Sequence, residues 1–252
     1  MKRGIDVSNH NGVIDWSKVK HNIDFVMIRA GYGQNNIDAK AVDNANGCIF
    51  NNIPFGFYWF SYALSESMAE KEAEYMCNFA KLFSPKLPLE FDWEYDSDLY
   101  SKSHGLTVSS EERRKIAKSF IDKVSSMGFT PMLYTNKDYL EKGFNYFRNY
   151  CPIWFAQWSK ETPTIKCDIW QFSSSGNIEG INGYVDMNYS FMENEKESKE
   201  EKIVEKFKEK YKKVAEEIIA GKYKTGNERK RMLKENGYDA ELAQLYVNEL
   251  LK

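Results

Sequence analysis

The chain has 252 residues, 35 of them basic and 37 acidic, for a formal net charge of −2. That balance lacks the basic excess of phosphate-backbone binders, so nucleic acid is not an expected partner. No run approaches the ~18 apolar residues of a membrane span, so no stable membrane insertion is expected. The first residues, Met1-Lys2-Arg3-Gly4-Ile5-Asp6, lack the apolar core of a signal peptide, which points to synthesis in a cytoplasm without one. Cys48, Cys77, Cys151 and Cys167 lie far apart, and His10, His21 and His104 are scattered. Neither set has zinc-site spacing, so the expectation is no metal and no cofactor.

Strand patterns fall at residues 3–8, 24–31, 54–61, 87–94, 129–135, 153–158, 168–172 and 183–189. Between them, residues 65–83 place Met68, Ala69, Ala73, Met76, Phe79 and Ala80 at helical spacing. Residues 108–127 form a second helix, with Ser110 as its N-cap and Gly128 just past its end. Pro131 belongs at the start or an irregular edge of its strand. Eight short strands separated by helices or loops predict an α/β fold, a parallel TIM-like (β/α) barrel. The gaps after the fifth to seventh strands are short, so helices are missing there and the barrel is irregular.

Composition changes after Met192. All six tryptophans lie at or before Trp170, whereas residues 193–252 carry 29 charged side chains. The predicted domains are 1–192, a charged linker at 193–202 that could also begin a helix, and a three-helix bundle at 203–252. In the bundle, Val204, Phe207, Tyr211, Val214, Ile218 and Ile219 share a helical face that Gly221 ends. A second helix ends at Gly237, and Asp239 caps a third. On physics alone, this bundle could be a dimerisation or solubility appendage.

The segment Leu87-Pro-Leu-Glu-Phe-Asp-Trp-Glu-Tyr-Asp96 carries most of the chemistry. Asp92 and Glu94 are two residues apart and share one strand face. Asp6 and Asp186 occupy comparable places on the first and last strands, so a barrel would aim four carboxylates at one mouth. Crowded carboxylates raise one another's pKa, and aromatic walls add desolvation. One carboxyl then stays protonated near neutrality beside an ionised neighbour, as glycosidic cleavage requires. The same acids could instead be strand-end ion-pair partners, or could hold Mg²⁺ or Ca²⁺. Aromatic residues are 15% of the chain and gather in Gly56-Phe-Tyr-Trp-Phe-Ser-Tyr62, Ile153-Trp-Phe-Ala-Gln-Trp158 and Ile169-Trp-Gln-Phe172. Such side chains either stack on sugar rings or fill the core.

Gly4-Ile-Asp-Val-Ser8, Gly56-Phe-Tyr58, Pro88-Leu-Glu-Phe-Asp-Trp-Glu94, Ile153-Trp154, Trp170-Gln171-Phe172 and Ser174 to Asn188 occur in that order. Through them, residues 3–191 resemble the glycoside hydrolase family 25 lysozymes, muramidases common among phage endolysins. The resemblance implies hydrolysis of the β-1,4 bond between N-acetylmuramic acid and N-acetylglucosamine in peptidoglycan. It maps the general acid to Glu94 and its partner to Asp92. A direct carboxylate nucleophile and assistance by the substrate's own 2-acetamido group are both open routes; in the second, which is favoured, Asp92 would orient or polarise that group, with Asp6 and Asp186 tuning the pocket. The expected substrate contacts are Tyr58, Trp59, Tyr134, Trp154, Gln171 and Asn188. Trp59 stands where the family often has His. A glucosaminidase or chitinase on the same scaffold, or an inactive wall-binding protein, are the alternatives.

Residues 217–229 and 237–248 resemble the CW_7 cell-wall-binding repeat, with Tyr223-Lys-Thr-Gly226 where related modules carry Trp-Gly-Asn-Gly. Lys222, Tyr223 and Arg229 are the expected wall contacts. Such repeats usually occur in tandem, and oligomerisation through this domain would restore multivalency. As an endolysin, the protein would reach the wall after holin-dependent release.

Overall fold

Nine strands lie in the first 192 residues: β1 (Lys2–Val7), β2 (Phe25–Tyr32), β3 (Asn36–Ile37), β4 (Phe55–Phe60), β5 (Leu89–Asp92), β6 (Pro131–Asn136), β7 (Ile153–Ala156), β8 (Ile169–Gly176) and β9 (Val185–Ser190). This computed structural model describes residues 1–192 and 199–251, with the backbone alone at 199–207. Two compact units result, Met1–Met192 and Glu193–Lys252. Eight strands of the first unit close a barrel in the order β1-β2-β4-β5-β6-β7-β8-β9, with β9 returning to β1. The short β3 is an antiparallel partner on β2, outside the ring.

The last strand corrects the all-parallel expectation. β9 pairs antiparallel with both β8 and β1. The physical reason is length: eight residues join Gly176 to Val185, and a parallel crossover needs about a dozen or more. Pro131 opens β6, where its missing N–H costs no internal ladder bond.

Side-chain alternation separates two apolar layers. Phe25, Met27, Met132, Trp154 and Ile169 fill the barrel interior. Outward-facing Val26, Ile28, Phe57, Phe91, Leu133 and Phe155 pack beneath the helices. Gly4 belongs to the interior layer because a Cβ there would run into the Phe25 ring.

The helices of this unit include α1 (Trp16–Val19), α2 (Ala41–Phe50), α3 (Glu66–Ala80), α4 (Tyr95–Ser103), α5 (Ser110–Ser126) and α6 (Lys137–Glu141). Ser65 Oγ caps α3 by accepting the Met68 N–H at 3.3 Å, and Ala69, Ala73, Met76 and Ala80 form its buried face. The cap of α5 is Ser109, one residue before the predicted Ser110. Its Oγ accepts the Glu112 N–H at 3.2 Å, while Glu112 accepts the Ser109 N–H at 2.8 Å, a reciprocal pairing that Ser110 could not make.

Four helices escaped prediction: α1, α2, α4 and α6, the last after the fifth barrel strand, where no helix was expected. α2 has a weak apolar pattern interrupted by Gly47, which lies against the Trp16 indole with no room for a Cβ. α4 begins where the fourth predicted strand was expected to end, and it places Glu94 at its N-cap. Asp98 on α4 accepts hydrogen bonds from Trp93 Nε1 (3.1 Å), Arg113 Nη2 (2.8 Å) and Tyr139 Oη (2.7 Å). It thereby ties α4 to α5 and α6.

In the second unit, α7 (Lys199–Ile219), α8 (Gly226–Glu235) and α9 (Ala240–Leu250) enclose Tyr211, Val214, Ile218, Leu233, Ala243 and Val247. Residues 199–202, expected as linker, belong to α7; residues 193–198 lie outside the described residues, as do the side chains of Val204 and Phe207. Gly221 follows α7 with φ +81°, the left-handed conformation that ends helices. Asp239 Oδ1 caps α9 through the N–H groups of Glu241 (2.9 Å) and Leu242 (2.8 Å), and its own N–H donates to Tyr211 Oη at 2.8 Å.

Asp98→Ala leaves the Arg113 guanidinium without its carboxylate partner. It is expected to destabilise the first unit by about 2 kcal/mol, read as a lower midpoint for the thermal transition of the barrel.

Candidate active site

Asp6 ends the inward face of β1 and stands directly opposite Asp186 in the antiparallel β1–β9 register. Because β9 runs back along the barrel, Asp186 reaches the mouth from the start of its strand. On the opposite wall, Asp92 ends β5, and Glu94 follows two residues later. All four acids line one cavity of about 320 Å³, together with Tyr58, Tyr134, Trp154 and Gln171.

Asp6 is held at the centre of a polar network. Its Oδ2 accepts from Gln171 Nε2 at 3.0 Å and from Asn188 Nδ2 at 2.7 Å. Trp154 Nε1 in turn donates to Asn188 Oδ1 at 2.7 Å, and Tyr134 Oη and Trp158 Nε1 donate to Gln171 Oε1 at 3.1 and 3.2 Å. Burial, then the charge of Asp186, pushes the Asp6 carboxyl well above the usual range, against the two amide hydrogen bonds. Asp186 is raised as well, first by burial, so the two facing acids resist ionising together.

Asp92 is also pushed well up, first by burial and then by Glu94 and Asp6, with Arg29 opposing. Glu94 rises to about 7, through burial and then the charges of Asp186 and Asp96. The site therefore contains a carboxyl that keeps its proton into the neutral range at the edge of an aromatic-walled pocket. A raised carboxyl is not by itself catalytic. Glu72 also rises to about 7 through burial, but it binds Ser61 Oγ (2.6 Å), the Tyr62 N–H (3.2 Å) and Gln34 Nε2 (3.3 Å). That is a structural tie between α3 and the end of β4.

Two expected substrate contacts are corrected. Trp59 is fully buried on the outer face of β4, where its Nε1 donates to Gly33 O at 3.0 Å. Asn188 is fully buried beneath Asp6 and positions it rather than lining the cavity. Arg29, Trp158 and Tyr184 line the cavity but were not predicted. Arg29 had a visible signal, as the lone charge within the apolar run of β2. It binds Asp38 Oδ2 at 2.8 Å and Asn9 Oδ1 at 2.5 Å. Trp158 lies past the end of β7, and Tyr184 sits in the loop before β9. Among the described residues, no group of three His, Cys, Asp or Glu side chains is placed to hold a metal ion.

In the second unit, Tyr223 is buried in the helical core, at 7% exposure, which corrects its assignment as a wall contact. Arg229 is committed to Lys224 O (2.7 Å) and Gln244 Oε1 (3.2 Å). Lys222 is exposed and paired with Glu217 at 2.7 Å.

Residues 5–181 match glycosyl hydrolases family 25, and residues 212–251 match the CW_7 repeat. The autolytic lysozyme of Clostridium acetobutylicum is 24% identical over 188 residues, 73% of this chain and 54% of that protein. The lysozyme of Streptococcus phage Cp-7 is 24% identical over 267 residues, 98% of this chain and 69% of that protein. The chain thus spans about half the length of the Clostridium relative. Among solved structures, the bacterial lysozyme from Streptomyces coelicolor superposes with a TM-score of 0.65 at 26% identity, over 75% of this chain and 92% of that one. With the barrel and the acids at its mouth, the chain belongs to glycosyl hydrolases family 25 and carries a CW_7 repeat after the barrel.

Proposed function

We propose that the chain is a lysozyme-type muramidase, cutting peptidoglycan at the β-1,4 bond between N-acetylmuramic acid and N-acetylglucosamine. The observation that carries this reading is Glu94, a carboxyl with pKa about 7 at the mouth of a cavity that also holds the more deeply buried Asp92. The names of the relatives, lysozymes and an autolytic lysozyme, agree with it. Glu94 protonates the glycosidic oxygen as the bond breaks, then removes a proton from the incoming water. Asp92 accepts the N–H of the substrate's 2-acetamido group, a hydrogen bond that favours its ionised form against the burial and neighbouring charge that raise it, and so orients the carbonyl oxygen to attack the anomeric carbon. The Asp6–Asp186 pair holds one proton between two acids, which limits the negative charge facing Glu94. Tyr58, Tyr134 and Trp154 supply the apolar wall against which a sugar ring packs. The CW_7 repeat holds the enzyme on the wall, which is its place of action after release from the cell that makes it.

Digestion of purified peptidoglycan, borohydride reduction and mass spectrometry of the new ends tests this assignment. Reduced muramic acid ends are expected. Reduced glucosamine ends would make the enzyme a glucosaminidase, and no new ends would leave a wall-binding protein. Glu94→Gln is expected to lower kcat by about 10³-fold while preserving the circular dichroism spectrum.

The pH dependence follows from the two acids. The general acid works only while protonated, so kcat/KM should fall as pH rises through about 7, the value for Glu94. It should also fall at low pH as Asp92 takes up a proton. Since the Asp92 pKa is raised, that limb lies above the ordinary aspartate range.

A chain ending at Met192 should cleave soluble muropeptides at a rate within about twofold of the full chain. Its lytic rate on intact walls should fall about tenfold, because attachment raises the local substrate concentration.

A further inference from the structure

One buried acid has no part in this scheme. Glu90 lies on β5 two residues before Asp92 and is fully buried. β5 alternates: Leu89 and Phe91 face the helices, with Phe91 packed 5.0 Å from the Phe120 ring, while Glu90 and Asp92 face inward. In the register, Glu90 sits between Tyr58 on β4 and Met132 on β6, both part of the barrel interior. Neither Glu90 oxygen has a hydrogen-bond partner, and neither does Asp92 Oδ1. Three buried carboxyl oxygens on one strand face thus stand without a donor.

An ionised carboxylate in that position would be very costly. The groups that face Glu90 are Asp6 from β1, Asp92 and Glu94 from its own segment, Tyr58 from β4 and the Tyr134 N–H from β6, which does not reach hydrogen-bond geometry. The Cys151 thiol lies beyond the base of β7. The guanidinium of Arg29 is committed to Asp38 and Asn9. Burial first, then Asp92 and Asp6, pushes the Glu90 carboxyl well above its ordinary range. A neutral Glu90 therefore carries an O–H with no acceptor of its own, on the same strand face as an Asp92 oxygen with no donor.

We propose that Glu90 is a positioning residue, a protonated acid that donates its O–H to Oδ1 of Asp92, directly or through one buried water, whenever Asp92 ionises. Residues two apart on a strand are separated by about 6.6 Å, a span that the two side chains or one water can close. No proton is transferred: it stays on Glu90 throughout. The donated bond places the cluster's negative charge on Asp92 and leaves Glu94 protonated for the leaving group. This role rests on Asp92 being the working anion of the proposed reaction.

Two variants of the full-length protein test the role. Glu90→Gln keeps a neutral, weaker donor, whereas Glu90→Met fills similar volume and has none. Gln is expected to lower kcat about threefold and leave the pH limbs in place. Met should move the acid limb of kcat/KM up by about one pH unit, because the charged form of Asp92 loses a hydrogen bond. That shift corresponds to about tenfold lower activity on the acid side, with KM little changed. A Met variant with wild-type limbs, or Gln and Met variants with identical profiles, would overturn the proposal.

Infrared spectroscopy of protein with ¹³C-carboxyl-labelled glutamate decides the protonation state without relying on turnover. A protonated-carboxyl band should persist above the pH at which Glu72 and Glu94 have lost their protons, be missing there in Glu90→Gln, and shift as Asp92 ionises in wild type but not in Asp92→Asn. A Glu90 band that disappears together with those of Glu72 and Glu94, or one indifferent to Asp92, would refute the donation. This arm also stands if the Met variant fails to fold. A wild-type protein that cuts no glycan would sink the proposed function, while the infrared result would still decide the state of Glu90.

Discussion

The site depends on the direction of one strand. β9 closes the barrel antiparallel to both neighbours, so its first residues, not its last, lie at the mouth. That reversal sets Asp186 against Asp6 in register and leaves Asn188, two residues on, beneath Asp6. The network from Trp154 through Asn188 to Asp6, with Gln171 held by Tyr134 and Trp158, follows from this closure. A parallel last strand would present the opposite end of the segment and remove Asp186 from the pocket.

Around that closure the fold concentrates negative charge in a dry space. Asp6, Asp92, Glu94 and Asp186 are all raised, with burial the first cause in each. Such groups bind protons more tightly folded than unfolded, so their contribution to stability is greatest at low pH. It is lost as pH rises through the raised values. The barrel accepts that loss at its mouth and offsets it elsewhere. Asp98, by contrast, is pulled below its ordinary range by hydrogen bonds from Tyr139 and Arg113 that outweigh its burial. It anchors the helix that Glu94 begins. The same residue type thus serves chemistry or scaffolding according to whether donors meet it.

The helical module depends on aromatic packing more than on charge. Tyr211 meets the rings of Tyr238 and Tyr246 and accepts the N–H of Asp239. The same packing takes in Tyr223, whose ring is buried in the core of the module.

Much of this was legible in the residues. Alternation and turn residues located the eight barrel strands. The shared strand face expected of Asp92 and Glu94 did not form, because β5 ends at Asp92 and Glu94 caps α4, yet both acids line the one cavity. The Asp239 cap and the stop at Gly221 were equally local. Helices α2 and α4 were not legible, because Gly47 answers to a distant Trp16 and α4 is held by partners on α5 and α6. The side chains of Trp59 and Asn188 had the right chemistry for sugar contact, but strand register sent one outward and one beneath Asp6. The short connection before β9 did contain its direction, since eight residues cannot make a parallel crossover. The sequence by itself determined which residues alternate, where turns fall and which acids sit near strand ends, because those properties are local. Only the tertiary structure decided which acids meet, which are dry and which carry a proton, because pairing and burial arise between segments far apart in the chain.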